Sequence, residues 1–135
     1  MSFSKPFLAS FVATATLAVG AATAQDARLD AAVSARQGQF QIMVQNIGVL
    51  VAMARGEADY DAAVAQIAAD NLVTMSTVNQ TFHWPEGSDN ASIEGTRALP
   101  AIWENLEDVV SLWGDYGEAA VTLATVAGDG LDPMR

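Results

Sequence analysis

The chain contains no cysteine. Disulfides, thiol catalysis, thiolate metal sites and thioether-linked prosthetic groups are therefore unavailable to its 135 residues. Stability has to come from packing, a ligand or self-association. Histidine is almost as scarce. His83 stands alone, with no second histidine and no Glu-x-x-His spacing to complete a metal site, so it is expected to be a structural or exposed side chain and no metal ligand. Cations are few: six lysines and arginines face 16 acidic residues, for a net charge of −10. That field repels phosphate backbones and anionic lipid, which argues against nucleic acid or a membrane as partner and favours basic partners or simple solubility. No Ser/His/Asp arrangement, Gly-rich phosphate loop or metalloprotease motif is present. Acid pairs such as Glu107 with Asp108, or Asp59 with Asp61, suit solvated faces and caps rather than acid-base catalysis. No enzyme of the common classes is expected.

The first residues differ in kind from the rest. Met1 to Ala24 hold one cation, Lys5, an apolar run from Phe7 to Gly20, and the small triplet Ala22, Thr23, Ala24 before Gln25. This is the pattern of a secretory signal peptide cleaved after Ala24. Its apolar core is too short to span a bilayer, which needs roughly 20 apolar residues, and no later run approaches that length. All the acidic residues follow Ala24, so losing Lys5 with a leader takes the net charge to about −11. Residues 25–135 are enough for one domain with a modest core.

Helical periodicity dominates this remainder. Leu29, Val33, Phe40, Met43, Ile47 and Leu50 alternate in steps of four and three, with Arg36 filling the one gap. Gly56 is expected to end this helix, and Asp59 or Asp61 to cap the next. The second seam runs through Tyr60, Val64, Ile67, Leu72, Met75, Val78 and Phe82 until His83-Trp84-Pro85-Glu86-Gly87 breaks it. A polar loop follows from Glu86 to Arg97. Pro100 suits the start of a third helix through Trp103, Leu106, Val110, Trp113, Gly117, Ala120 and Ala124, closed by Gly128. The short connection between the first two helices makes them antiparallel neighbours. Asp132-Pro133 reads as a cap and first residue of a fourth helix. The expectation is an all-α fold, an antiparallel four-helix bundle of which three helices are present, the sequence stopping where the fourth begins; the alternative is an ordinary chain end.

Arg36 has two readings. Its stem can cover apolar surface while the guanidinium reaches water, or, with Gln37 beside it, its fork can meet an acidic group of a ligand inside the bundle. Trp103, Trp113, Phe40, Met43 and Met75 lie at core spacing and become pocket walls if the bundle holds a planar apolar ligand.

Several of these segments together resemble the class II cytochromes c, the cytochrome c' family. They are Ala35-Arg36-Gln37 with Phe40 and Met43, Tyr60-Asp61-Ala62-Ala63, Trp84-Pro85-Glu86-Gly87-Ser88-Asp89, and Thr96-Arg97-Ala98-Leu99-Pro100-Ala101-Ile102-Trp103. The resemblance implies a periplasmic, often homodimeric four-helix bundle around a five-coordinate haem c that transfers electrons to a soluble partner or binds NO and CO. It implies haem-propionate contacts for Arg36 and Gln37, shielding of the vacant haem face by Phe40, and contacts of Ser88 and Asp89 with the haem edge. It also favours the ligand-facing reading of Arg36. The family's Cys-x-x-Cys-His, which bonds the haem and ligates the iron, is absent here, so covalent attachment is not possible for this chain. The alternative is a haem-free helical bundle that serves as an interaction protein.

Overall fold

A computed structural model describes residues 15–134. Five helices follow one another: α1 Ala15–Ala54, α2 Ala62–Ser76, α3 Ala101–Glu104, α4 Leu106–Ala124 and α5 Leu131–Met134. No strand occurs among the described residues. Of the expected leader, residues 1–14 lie outside the described residues, while residues 15–24 form the first turns of α1.

The turn from α1 into α2 is built from the signals in the sequence. Gly56 adopts φ +72°, and its N–H donates to Met53 O while Glu57 N–H donates to Ala52 O. This is a Schellman closure, which satisfies two otherwise orphaned carbonyls. Asp61, not Asp59, caps α2: its Oδ1 accepts from Ala63 N and Val64 N at 2.9 and 3.0 Å.

α2 is the central element and packs against both α1 and α4. The register is fixed by polar contacts that run in opposite senses along α2 and α4. Trp113 Nε1 donates to Ser76 O, Tyr116 Oη to Leu72 O and Gln66 Nε2 to Ala124 O. As α4 advances, its partners on α2 retreat, so the two helices are antiparallel. Small side chains permit the close approach: Ala65, Ala68, Ala69, Ala120 and Ala127 are buried with Met43, Leu50, Met53 and Leu72. At Gly117 an added Cβ would sit 3.4 Å from Ser76 Oγ. The core is therefore densest toward the end of the bundle that holds the α1–α2 turn.

Three boundaries differ from the expectation. α2 stops at Ser76, six residues before Phe82. There Ser76 Oγ bonds Val73 O, Thr77 Oγ1 bonds Thr74 O, and Asn79 Oδ1 takes Thr81 N; such side chains compete with the helical ladder. Phe82, placed on the seam by its spacing, is 84% exposed. The third helix is broken at Asn105 (φ −135°, ψ 51°) into α3 and α4, and it ends at Ala124, with turns reaching Asp129. The last helix begins at Leu131 after Gly130 (φ +130°), so Asp132 lies in its first turn and does not cap it.

Burial raises the Tyr116 phenol above its ordinary value of 10.0. The folded state thus binds a proton that the unfolded chain gives up above that pH, so stability falls as pH rises past it. Urea midpoints followed from neutral pH upward should show this alkaline decline reduced in Tyr116→Phe, at a cost near neutrality of about 1 kcal/mol for the lost hydrogen bond to Leu72 O.

Candidate functional site

The connection between α2 and α3, residues 77–100, has little regular structure yet is tightly organised. Asp89 Oδ1 accepts from Ala91 N and Ser92 N at 2.8 and 3.1 Å, and its Oδ2 meets Ser92 Oγ. Asn90 N donates to Ala98 O across the loop. Gly87 and Gly95 both take φ +83°, a conformation that L side chains rarely adopt, so the two tight reversals need glycine. Trp103 Nε1 bonds Trp84 O at 3.1 Å and the two indoles stand 6.2 Å apart, tilted by 57°.

This loop is fastened to α1 through Arg36. Its Nη1 donates to Ser88 Oγ at 2.7 Å and His83 O at 3.0 Å, and its Nη2 donates to Ser88 O at 2.7 Å and more weakly to Thr96 Oγ1 at 3.5 Å. The guanidinium lies 4.5 Å from the centre of the Trp84 ring, a cation–π contact. Arg36 is 4% exposed and its partners among the described residues are neutral. Burial pushes its pKa below the ordinary arginine value, though an arginine keeps its charge. The adjacent Gln37 adds a 2.7 Å bond from Nε2 to Gly95 O.

Between α1 and this loop lies a cleft of about 790 Å³. Phe40 and Val44 of α1 and the Trp84 indole form its apolar walls, while Arg36, Gln37, Gln41, Thr96 and Arg97 bring polar groups. No aspartate or glutamate lines it. A second cavity of about 470 Å³ lies on α4, where Trp84, Leu106, Val110 and Trp113 are neighbours.

The structure separates the residues singled out in the sequence. Arg36, Gln37 and Phe40 line the cleft; Phe40 is 47% exposed and faces open space rather than a packed core. Ser88 is fully buried, accepting from Arg36 and donating to Pro85 O. Asp89 is also buried and spends its oxygens on its own loop. Both therefore shape the loop from behind. Arg36 does not reach solvent, as one reading had it. Trp84, Thr96 and Arg97 were not picked out as site residues, although Trp84-Pro85 and Thr96-Arg97 stood within the quoted segments. His83 is half-buried with Nδ1 3.1 Å from Gln39 Nε2, and no cluster of three potential metal ligands occurs among the described residues.

A sequence model of cytochrome C' matches residues 31–134. The chain belongs to the cytochrome c' family. It is 38% identical to cytochrome c-554 of Cereibacter sphaeroides over 112 residues, covering 82% of this chain and 84% of that one. It is 34% identical to a cytochrome c' of the same species, covering 81% and 73%. Among solved structures, cytochrome c' from Rhodobacter Spheriodes superposes with a TM-score of 0.76 at 32% identity, covering 78% and 82%, and that of Thermochromatium tepidum with 0.68 at 28%, covering 78% and 81%. The cytochrome c' fold is a four-helix bundle, here with three substantial helices and the short α5.

Membership implies a haem-binding cytochrome, so the cleft has to be tested against that group. Its walls fit in two respects. Phe40, Val44 and Trp84 suit a flat apolar ring, and a buried cation with neutral partners suits a carboxylate at the ring's edge. The attachment does not fit: without cysteine there is no covalent link.

Arg36→Lys removes the planar fork but keeps the charge. It should lower stability by about 1–3 kcal/mol, because Ser88 O and Oγ lose buried donors. Urea unfolding measures the loss, and near-ultraviolet circular dichroism should report release of Trp84.

Proposed function

We propose that the α1–loop cleft is a haem pocket and that the chain serves, in the periplasm after removal of residues 1–24, as an electron-transfer or diatomic-gas-binding protein of the cytochrome c' type. The observation that carries this reading is the composition of the cleft. In a chain with net charge −10, its lining holds two arginines, two glutamines and no acid beside Phe40, Val44 and Trp84. That combination favours a planar apolar ligand with anionic edge groups.

Bound haem supplies a one-electron iron couple and a position for NO or CO. The residues of the chain do the rest. Phe40 covers one face of the ring and excludes water. Gln37, whose Nε2 spends one hydrogen on Gly95 O, keeps the second to donate to an anionic edge group. Arg36 supplies positive potential from below the surface, and Ser88 and Asp89 hold the loop that carries Trp84 and Thr96.

The outer face of α1 and α2 supports a homodimer. Residues 38–54 contain no charged residue. Ile42 and Val49 of α1 and Val64 and Ile67 of α2 are all substantially exposed, around the bond from Asn71 Nδ2 to Asn46 Oδ1. Two copies of so acidic a chain meet with least repulsion on an uncharged face.

Hemin added to the purified chain should give a saturable Soret band with quenching of tryptophan fluorescence. Phe40→Ala should weaken binding about tenfold through loss of a stacked ring face. A folded chain that gives no such band would point instead to the haem-free interaction protein. In sedimentation, the parent chain should be dimeric and Ile67→Glu monomeric, since the substitution buries a carboxylate on each side of the contact; a monomeric parent would remove the dimer.

A further inference from the structure

Arg36 cannot serve both the loop and a ligand equally. Four of its five guanidinium hydrogens are directed at His83 O, Ser88 O, Ser88 Oγ and Thr96 Oγ1, and Trp84 covers one face of its plane. Its charge contributes potential to the cleft, but its donors are committed.

Arg97 is in the opposite condition. It lies on the lip of the same cleft, is exposed, and makes no hydrogen bond or ion pair with any described residue. Its backbone is nevertheless held. Gly95 O on one side is bound by Gln37 Nε2 at 2.7 Å, Thr96 Oγ1 takes Ala98 N at 3.2 Å, and Ala98 O accepts from Asn90 N at 2.8 Å. A free guanidinium is thus presented from an anchored segment to the mouth of an acid-free cleft. The lip is fixed while the side chain stays available.

We infer that Arg97 is the cleft's carboxylate-binding residue, pairing with an anionic edge group of the bound macrocycle, while Arg36 is a positioning residue that holds the lip in place. This rests on the haem reading above and assigns within it a role that the family resemblance gave to Arg36. A guanidinium offers two parallel donors to a carboxylate, so the contact selects for the free acid as well as for charge.

The test compares binding of hemin with binding of hemin dimethyl ester, which has the same ring and iron but no carboxylate. Both are followed by Soret absorbance on the full chain and on the variants Arg97→Gln and Arg55→Gln. Arg55 is exposed at the far end of α1 and controls for the change in net charge. The parent chain and Arg55→Gln should prefer hemin about tenfold, the value of one charge-assisted contact at a partly exposed site. Arg97→Gln should lose most of this preference, the potential of Arg36 leaving only a small remainder, with ester affinity and urea midpoint unchanged. If the preference survives in Arg97→Gln, is lost equally in Arg55→Gln, or is absent from the parent chain while both porphyrins bind, the role of Arg97 is overturned and the haem reading stands. If neither porphyrin binds the folded parent chain, both fall.

Discussion

The buried guanidinium of Arg36 is the constraint on which the open end of the bundle depends. Taking such a charge out of water costs several kcal/mol unless donors and charge are met. Here the donors are met by oxygens of the 83–96 segment and the charge partly by the face of Trp84. Since Arg36 lies one helical turn before Phe40 on α1, the clamp also sets where Trp84 stands relative to Phe40. The two apolar walls of the cleft are therefore placed by a polar contact. A loop of more than twenty residues would otherwise carry a large ordering cost. Its internal bonds at Asp89 and Asn90 lower that cost before Arg36 is engaged.

The two ends of the bundle are held by different physics. Around Ala65, Ala68 and Ala69 the helices touch through small side chains, and Tyr60 beside them donates to Ala127 O. That end is a packed interior. Around Arg36 the gap between α1 and the loop is too wide for direct helix contact, and side-chain hydrogen bonds take over. A cleft can persist there because the packed end does not need it closed to stay folded. The division places a rigid base beneath a binding region whose shape is set by directional bonds.

Much of this was legible in the residues, for identifiable reasons. Gly56 and Asp61 acted as their chemistry dictates because helix ends are local problems. The apolar spacing of Met43, Leu50, Leu72 and Ala120 identified core positions because burial leaves a periodic trace. Spacing failed at Phe82, where Ser76, Thr77 and Asn79 had already ended the helix, at Asn105, where the break has no periodic signature, and at Ile67 and Val110, which keep the seam spacing yet are exposed. The fate of Arg36 was illegible for another reason: whether a seam arginine meets water, a ligand or a loop depends on residues 47 to 60 positions away. The role of Ser88 was hidden in the same way, since it is decided by contacts across the chain.

The distribution of charge connects these points. Net charge −10 alone would make any cleft in this chain repel an anionic ligand. The cleft escapes this because its wall carries no acid and two of the chain's six cations. The two arginines act over different ranges. Arg36, in low dielectric, is weakly screened and biases the potential in the cleft whatever the salt concentration, whereas Arg97, at the surface, is screened over about 8–10 Å by physiological salt and acts only on contact. Neither would suffice alone. A buried cation without a free donor attracts an anion but cannot orient it, and an exposed cation without the buried one has to oppose the field of 16 acids. On the proposed reading, the two together would let a strongly acidic bundle accept an anionic ligand at this cleft.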